Sequence, residues 1–175
     1  MAISILNDKV QSNLLAVYLR DQTTTTQFDR VGSNCESLSI NLNTEETEYA
    51  DVTMATKQTD ISSYKTVVEG TGKFQSGDPV YDFFLKLWRE NKTGNAARED
   101  MLIAFRFMED SSTHECYADL YEDASVALTS FELTGADLME VSFTISANSE
   151  AKAGTVVCNS ADNYKTATSW TPASA

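Results

Sequence analysis

The residues that could carry out chemistry are few and scattered along this 175-residue chain. His114 is the only histidine, so a histidine-dependent catalytic triad would rest on that one side chain. His114 and Cys116 form an isolated H-x-C pair, whereas a zinc site needs two further ligands at suitable spacing. Cys35, Cys116 and Cys158 are odd in number and widely separated, which argues against a disulfide framework. We therefore expect neither a metal site nor a thiol-based active site.

Motifs for nucleotide binding or catalysis are missing from the sequence as well. It contains no G-x-S-x-G, no P-loop and no G-x-G-x-x-G, and residues 70–72 are too short a glycine pair to cradle a phosphate. Carboxylates for glycoside hydrolysis usually lie among exposed aromatic residues that stack on sugar. Here most aromatic residues follow strand or helix periodicity instead. We expect a protein that is not an enzyme and that holds no cofactor.

The charge balance excludes a further class of function. The chain has 26 acidic and 13 basic residues, a net charge of −13. Holding nucleic acid by its phosphates needs clustered Lys and Arg, so we expect no such binding. Two interpretations of the acidity stay open: solubility through self-repulsion, or a surface that lets a polyanion pass without sticking.

The chain also lacks the signals of a membrane or secreted protein. No apolar run approaches the about 18 residues that a membrane span needs. Residues 1–19 lack the basic start and uninterrupted apolar stretch of a signal peptide. We therefore expect a protein without a membrane anchor that folds in the cytosol.

The first half of the chain predicts strands around a long polar insertion. Residues 14–20 indicate an early strand, and Leu38, Ile40 and Leu42 then alternate with polar residues, so that one face enters a core. Residues 43–62 are acidic and lack apolar periodicity, which indicates a long loop or an extended hairpin. Hairpin arms of ten residues would reach roughly 33 Å at about 3.3 Å per residue. Residues 63–74 return as a strand, with glycines at 70 and 72 predicting a bulge or bend.

A single helix is predicted over residues 79–92. Asp78 can cap its start, Pro79 suits the first helical position, and Gly94 can terminate it. Apolar residues at helical spacing form one broad face that we expect to be core against a sheet: Val80, Phe83, Phe84, Leu87 and Trp88.

The remainder of the chain predicts strands at intervals of about ten residues, which favours a sandwich or barrel. The predicted strands are 101–108, 116–121, 126–133 and 138–147. In the last strand the residues expected to face the core are Met139, Val141, Phe143 and Ile145. We expect one mainly β domain over residues 1–147, and a mobile arm or weak strand pair over residues 148–175, which are rich in Ser, Thr and Ala.

The order of these elements resembles a known family. The chain begins this series with the strand that holds Leu38, Ile40 and Leu42, followed by the long insertion and the returning strand Val-Val-Glu-Gly-Thr-Gly-Lys-Phe. Next come the helix Gly-Asp-Pro-Val-Tyr-Asp-Phe-Phe-Leu-Lys-Leu-Trp and, at the end, the strand Val-Ser-Phe-Thr-Ile-Ser. This layout resembles the major tail protein, or tail tube protein, of siphophages over residues 30–147. It is also similar to the tube subunits of contractile tails and type VI secretion.

The resemblance implies a β-sandwich or half-barrel with one flanking helix. It implies hexameric rings whose sheets join into a continuous inner barrel, stacked into the tube of a virion tail that assembles in the host cytoplasm. Double-stranded DNA would pass through the lumen without specific binding, and tape measure and terminator proteins would be partners. The insertion would reach the adjacent ring through Glu45, Glu46, Glu48, Tyr49, Asp51, Met54, Lys57 and Asp60. Strand alternation suggests three acids that line the lumen: Glu69, Glu132 and Glu140.

Two other functions stay open on the sequence. One is a tube subunit of a contractile or type VI-like injection machine. The other is an acidic β-sandwich binding module or adhesin that does not polymerise.

Overall fold

Nine antiparallel strands and one α-helix make up the described part of the chain. A computed structural model describes residues 14–20, 26–32, 35–49, 58–73, 77–133 and 139–173. The helix is α1 (Pro79–Arg89), and short 3-10 turns lie at Gly94–Ala97, Arg106–Met108 and Ser160–Asp162. The strands are β1 (Leu15–Arg20), β2 (Phe28–Val31), β3 (Cys35–Tyr49), β4 (Gln58–Lys73), β5 (Arg98–Phe105), β6 (Glu115–Glu132), β7 (Glu140–Ser146), β8 (Lys152–Cys158) and β9 (Thr166–Pro172). None of the helices among these residues is long and apolar enough to cross a membrane.

The sheet divides into a closed barrel and a four-stranded extension that share β6. The first half of β6 pairs with β5 on one side and β8 on the other, and the order β5, β1, β2, β9, β8 leads round to β6 again. The second half of β6, residues 125–132, pairs with β7, and β4 and β3 follow outward. We call this four-stranded extension the wing. The mainly β fold with one flanking helix, predicted as a sandwich or half-barrel, is thereby confirmed.

The continuous β6 replaces the two strands predicted at 116–121 and 126–133. Residue Asp123, between them, has a φ of 56°, and its backbone N–H donates to Asp100 Oδ1 at 3.3 Å. The facing strand β5 has a register shift between Glu99 and Met101. A bulge bends a strand and increases its twist, so β6 turns from the barrel into the wing without ending.

Two hydrophobic cores lie on either side of the strands β1 and β5. Ala16 and Tyr18 of β1 face the barrel interior, whereas Val17 and Leu19 face a second core between the barrel, the wing and α1. Both strands are therefore buried on both faces, which explains the nearly continuous apolar run from residue 101 onward. The strand predicted over 101–108 instead spans Arg98–Phe105, and Arg106–Met108 form a 3-10 turn. Of the four residues predicted to face the core from the last strand, Val141, Phe143 and Ile145 are at most 1% exposed. Met139 lies just before β7 and is half-buried against the same core.

The helix begins as predicted but ends earlier. Asp78 Oδ1 accepts hydrogen bonds from the N–H groups of Val80 at 3.0 Å and Tyr81 at 3.2 Å. The last helical residue is Arg89 and not residue 92, since Asn91 already takes the left-handed conformation, with a φ of 47°, three residues before Gly94 does so with a φ of 60°. The prediction that the whole aromatic face is core was wrong at Trp88, which is 58% exposed.

Gly70 has a packing role instead of the predicted bulge or bend. β4 passes through Gly70 in unbroken register with β7, and the nearby irregularity lies in β3, between Cys35 and Ser37. A Cβ at Gly70 would lie 2.4 Å from Phe143 Cζ. Glycine is therefore required because the aromatic ring lies directly against the backbone.

Residues 152–172 form the strand pair β8–β9, the second of the two predicted alternatives, and this pair is built into the barrel rather than forming a separate arm. β8 pairs with β6, where Val156 lies opposite Cys116, and β9 pairs with β2, where Ala167 lies opposite Phe28. Val156 and Ala167 are fully buried. The small side chains of this segment, which gave only a weak strand signal, fit into the interior of the six-stranded barrel.

Candidate assembly surfaces

The face of the wing that points away from α1 is polar. Along β7, Val141, Phe143 and Ile145 enter the core, so the alternate residues point the other way. Register extends this face to the neighbouring strands, since Thr144 lies opposite both Glu69 and Ala127. Short hydroxyl side chains dominate the face: Ser37, Ser39, Thr71, Ser125, Ser130, Ser142, Thr144 and Ser146.

The three acids predicted to line a lumen all lie on this polar face. Glu132 and Glu140 are direct cross-strand partners, and Glu69 accepts a hydrogen bond from Asn41 Nδ2 at 3.2 Å. The bases on this face are Lys65, which lies opposite Asn43, and Lys73, which lies opposite Glu140 and forms an ion pair with Glu36 at 2.8 Å. The described part of the face therefore presents hydroxyl groups and carboxylates without a cluster of positive charge.

Both edges of the wing lack a strand partner among the described residues. β3 pairs with β4 alone, and the pairing of β6 with β5 ends at Ser125, which leaves residues 126–132 unpaired on that side. Successive wing strands are antiparallel, so β3 and β6 run in opposite directions. An unpaired edge is a template for another strand. A second copy could therefore add its β6 to β3 and continue the same antiparallel pattern.

The polar insertion forms a hairpin that extends beyond the wing. The pairing of β3 with β4 continues from Asn43–Lys65 to Tyr49–Gln58, about 20 Å at about 3.3 Å per residue. The part of residues 43–62 that the structure describes is thus strand and not loop. Of the residues predicted for contact with an adjacent ring, those on the hairpin are Glu45, Glu46, Glu48, Tyr49 and Asp60, whereas Asp51, Met54 and Lys57 lie outside the described residues.

Exposed apolar side chains cover one side of the hairpin base. Leu38 and Ile40 pack against the core, but Leu42, which was predicted to join them, is 56% exposed because the core ends before it. On the paired strand, Tyr64 is 62% and Ile61 53% exposed. Register places them opposite Thr44 and Glu46, on the α1 side of the hairpin like Leu42. Exposed apolar patches mark interaction sites.

A groove of about 490 Å³ lies at the end of α1, and the sequence reasoning missed it. Its walls are the end of α1, the 3-10 turn Gly94–Ala97 and residues 125–128 of β6. Trp88 lies at its rim and packs on Phe131 with ring centroids 4.8 Å apart. The signal that could have revealed it is charge, because residues 86–98 hold four basic side chains and one acid, Glu90, in an otherwise acidic chain.

The histidine and cysteines do not converge on a site. His114 Nδ1 lies 2.7 Å from Glu109 Oε1, while the Cys116 side chain enters the barrel, where its Sγ is 3.6 Å from Cys158 Sγ. The hydrogen bond with Cys158, together with burial, raises the pKa of the Cys116 thiol, and burial raises the pKa of Cys35 to about 12. Cys35 and Cys116 therefore stay protonated at neutral pH, which is unsuited to nucleophilic attack. In the ranges that the structure describes, no group of three or more His, Cys, Asp or Glu could hold a metal ion.

Comparison with known proteins finds the same fold in tails and tubes. No protein-family model and no curated protein sequence matches the chain. Among solved structures, the tail of an empty gene transfer agent particle, resolved with six-fold symmetry, has a TM-score of 0.58 at 8% identity over 82% of this chain and 97% of the other. The virion of the native gene transfer agent gives a TM-score of 0.57 at 9% identity over 83% and 98%.

A third similar structure is the sheath/tube terminator of an extracellular contractile injection system. It has a TM-score of 0.50 at 13% identity, with 86% of this chain and 99% of that chain covered. The chain thus has the fold of tail and tube proteins, the fold that the sequence resemblance implied.

Proposed function

We propose that this protein is the subunit of a tail tube. Copies join edge to edge through their wings into a closed ring, rings stack through the hairpin, and DNA passes through the bore during ejection. The observation that carries this proposal is the wing itself, a four-stranded sheet with one polar face and two unpaired, oppositely directed edges.

Ring closure satisfies the backbone groups that an isolated wing leaves exposed. Rotation about an axis along the strands brings β3 of one copy beside β6 of the next in antiparallel orientation, so every edge finds a partner. The six-fold symmetry stated for the gene transfer agent tail supports six copies per ring. Six wings supply about 24 strands, which at about 4.8 Å spacing give a circumference of about 115 Å and a wall about 18 Å from the axis.

The polar face of the wing suits the wall of a passage for DNA. Duplex DNA carries about one negative charge per 1.7 Å of its axis. Carboxylates at Glu69, Glu132 and Glu140 would repel it over a Debye length of about 8 Å at physiological salt. Because the face has no cluster of Lys or Arg, it offers the polymer no deep binding site, and DNA slides without specific contacts.

The hairpin provides the contact between rings. Such a contact joins different surfaces on the two partners, so it is heterologous and propagates into a filament. Residues of this contact are Glu45, Glu46, Glu48, Tyr49 and Asp60, together with Asp51, Met54 and Lys57. The assembled tube is a component of a virion tail, is built in the host cytoplasm, has tape measure and terminator proteins as partners and performs no catalysis.

Electron microscopy of the concentrated, negatively stained protein tests the proposal. Hollow tubes with a regular axial repeat are expected for the wild-type chain. Deletion of residues 45–60 should abolish tubes and leave a folded monomer, because the hairpin lies outside both cores. A wild-type protein that stays monomeric at every concentration would overturn the proposal, and a deletion variant that forms normal tubes would remove the hairpin from it.

Edge pairing has its own test in single proline substitutions along residues 37–41 of β3. In an edge strand, every second N–H group points away from the neighbouring strand. The proline is placed only at these positions, where it removes an outward donor and leaves the hydrogen bonds to β4 intact. Variants with an intact circular dichroism spectrum should form no rings. If they assemble like the wild type, the wings do not join through β3.

A further inference from the structure

The groove at the end of α1 has the properties of a binding site for a protein segment. It is lined by apolar and basic side chains, including Leu87, Lys92 and Arg98. The Nε atom of Arg98 is buried, and no described group accepts a hydrogen bond from it. Buried polar groups normally have a partner, so Arg98 is under-satisfied within the described part of the chain.

The composition of the groove defines the chemistry of its occupant. The charged side chains in its lining are both basic, Lys92 and Arg98. Lys92 is paired with Glu90 at 3.4 Å, and exposed Trp88 forms an apolar rim. The fitting partner is an acidic segment with exposed apolar or aromatic residues, since opposite charge steers the encounter and aromatic contact supplies affinity.

The hairpin of this same chain has that chemistry. Residues 43–49 and 58–65 hold four acids and one base, Lys65, a net charge of −3. Its α1 side combines Glu46 with the exposed Leu42, Tyr64 and Ile61.

The arrangement of strands brings the two surfaces together in neighbouring copies. The wing ends where Ser146 pairs with both Val67 and Ser125, and the hairpin projects past that end. The groove is built against residues 125–128, so it lies at the same end but beside the β6 edge. When β3 of one copy meets β6 of the next, the hairpin base of the first lies beside the groove of the second. Both the groove and the apolar side of the hairpin face α1.

We infer that the base of the β3–β4 hairpin binds the groove of the neighbouring copy in the same ring. Leu42, Tyr64 and Ile61 pack against Trp88 and Leu87, and the Glu46 carboxylate meets Lys92 and Arg98. This inference rests on the proposed tube assembly. It moves Glu46, near the hairpin base, to a lateral contact within the ring, and leaves the contact between rings to residues nearer the far end of the hairpin, such as Glu48, Tyr49 and Asp60.

Charge reversal with matched controls tests the contact. Lys92→Glu and the double change Lys92→Glu with Arg98→Glu should raise the protein concentration at which tubes form by about ten-fold or more, as expected for a lost interfacial charge pair. Arg89→Glu is the control, because it makes the same charge change three residues away, at the last residue of α1 and outside the groove. Glu46→Lys should have the effect of Lys92→Glu and leaves the packed groove untouched, whereas Glu150→Lys, at an exposed acid outside both the hairpin and the groove, should not.

Rescue and fluorescence complete the experiment. Combining Glu46→Lys with Lys92→Glu in one chain should restore assembly, because each groove then meets a hairpin of opposite charge. Assembly of the wild type should shift tryptophan emission to the blue, and Trp88→Phe should abolish the shift. If the wild type forms tubes and Lys92→Glu or Glu46→Lys assembles equally well, this inference is overturned while the tube proposal stands. If the wild type forms no tubes, both fall.

Discussion

The contact between Gly70 and Phe143 gives a prediction whose size follows from the structure. In Gly70→Ala, the new Cβ would lie 2.4 Å from Phe143 Cζ, 2.9 Å from Cε1 and 3.0 Å from Leu38 Cδ1. Carbon atoms pack best at about 3.5–4.0 Å, so the ring would have to retreat by about 1 Å. It has no room to do so, because Phe143 is 1% exposed and the Phe84 ring lies behind it with centroids 4.9 Å apart.

Overpacking of this kind costs about 1–3 kcal/mol. For a chain of this length, 1 kcal/mol lowers Tm by about 2–4 °C, so a central value of about 2 kcal/mol gives about 4–8 °C. Thermal and urea unfolding followed by circular dichroism, at concentrations where the protein is monomeric, measures the change. The same loss should appear in monomers and not as a defect confined to assembly, because the contact lies within one subunit.

A second substitution distinguishes a clash with the Phe143 side chain from a general effect of alanine on the strand. Phe143→Leu alone leaves a cavity and should be destabilising, but in the Gly70→Ala background it also relieves the clash. The combined cost should therefore be smaller than the sum of the single costs by about 1 kcal/mol or more. Strict additivity, or a Tm for Gly70→Ala within about 1 °C of the wild type, would refute the packing argument.

Three further predictions concern the helix, the bore and an acid-sensitive turn. Asp78→Ala should lower the free energy of unfolding by about 1 kcal/mol through loss of the helix cap, and an unchanged urea midpoint would contradict it. Lysine at Glu69, Glu132 and Glu140 together should make tubes retain duplex DNA at low salt and release it as salt rises, while wild-type tubes retain none, as filter binding would measure. Hydrogen bonds from neighbouring hydroxyl and N–H groups lower the pKa of Asp110 to about 2, so its contribution to stability is full above about pH 4 and is lost as pH falls towards 2. The Tm difference between wild type and Asp110→Asn should shrink over that window, and a difference independent of pH would be inconsistent with this.

Local pattern sufficed for those elements whose signals are local. The Asp78 cap, the following Pro79 and the alternation that buries Val141, Phe143 and Ile145 depend on nearest neighbours, and the structure has them as predicted. The acids at Glu69, Glu132 and Glu140 were expected from the same alternation to share a role, and register does bring them to one face of the wing.

The remainder depended on contacts between distant residues. In the sequence, the polar stretch near Asp123 looks like a turn. The bend stays inside one strand because Asp100 of β5 accepts a hydrogen bond from the Asp123 N–H. Closure of the barrel was hidden because β8 and β9 contribute mainly small residues to its interior, such as Cys158 and Ala167, which give a weak hydrophobic signal. The groove escaped notice because its basic residues become a surface only when α1 lies beside β6.

The bend in β6 makes one covalent strand the joint between barrel and wing. In the proposed tube, tension applied along the wing would pass through the β6 backbone into the barrel, because no flexible linker separates the two. A ring of such subunits would respond to bending by sliding at the contacts between copies, while each subunit keeps its shape. Stiffness would then be a property of the single chain, and flexibility a property of the assembly.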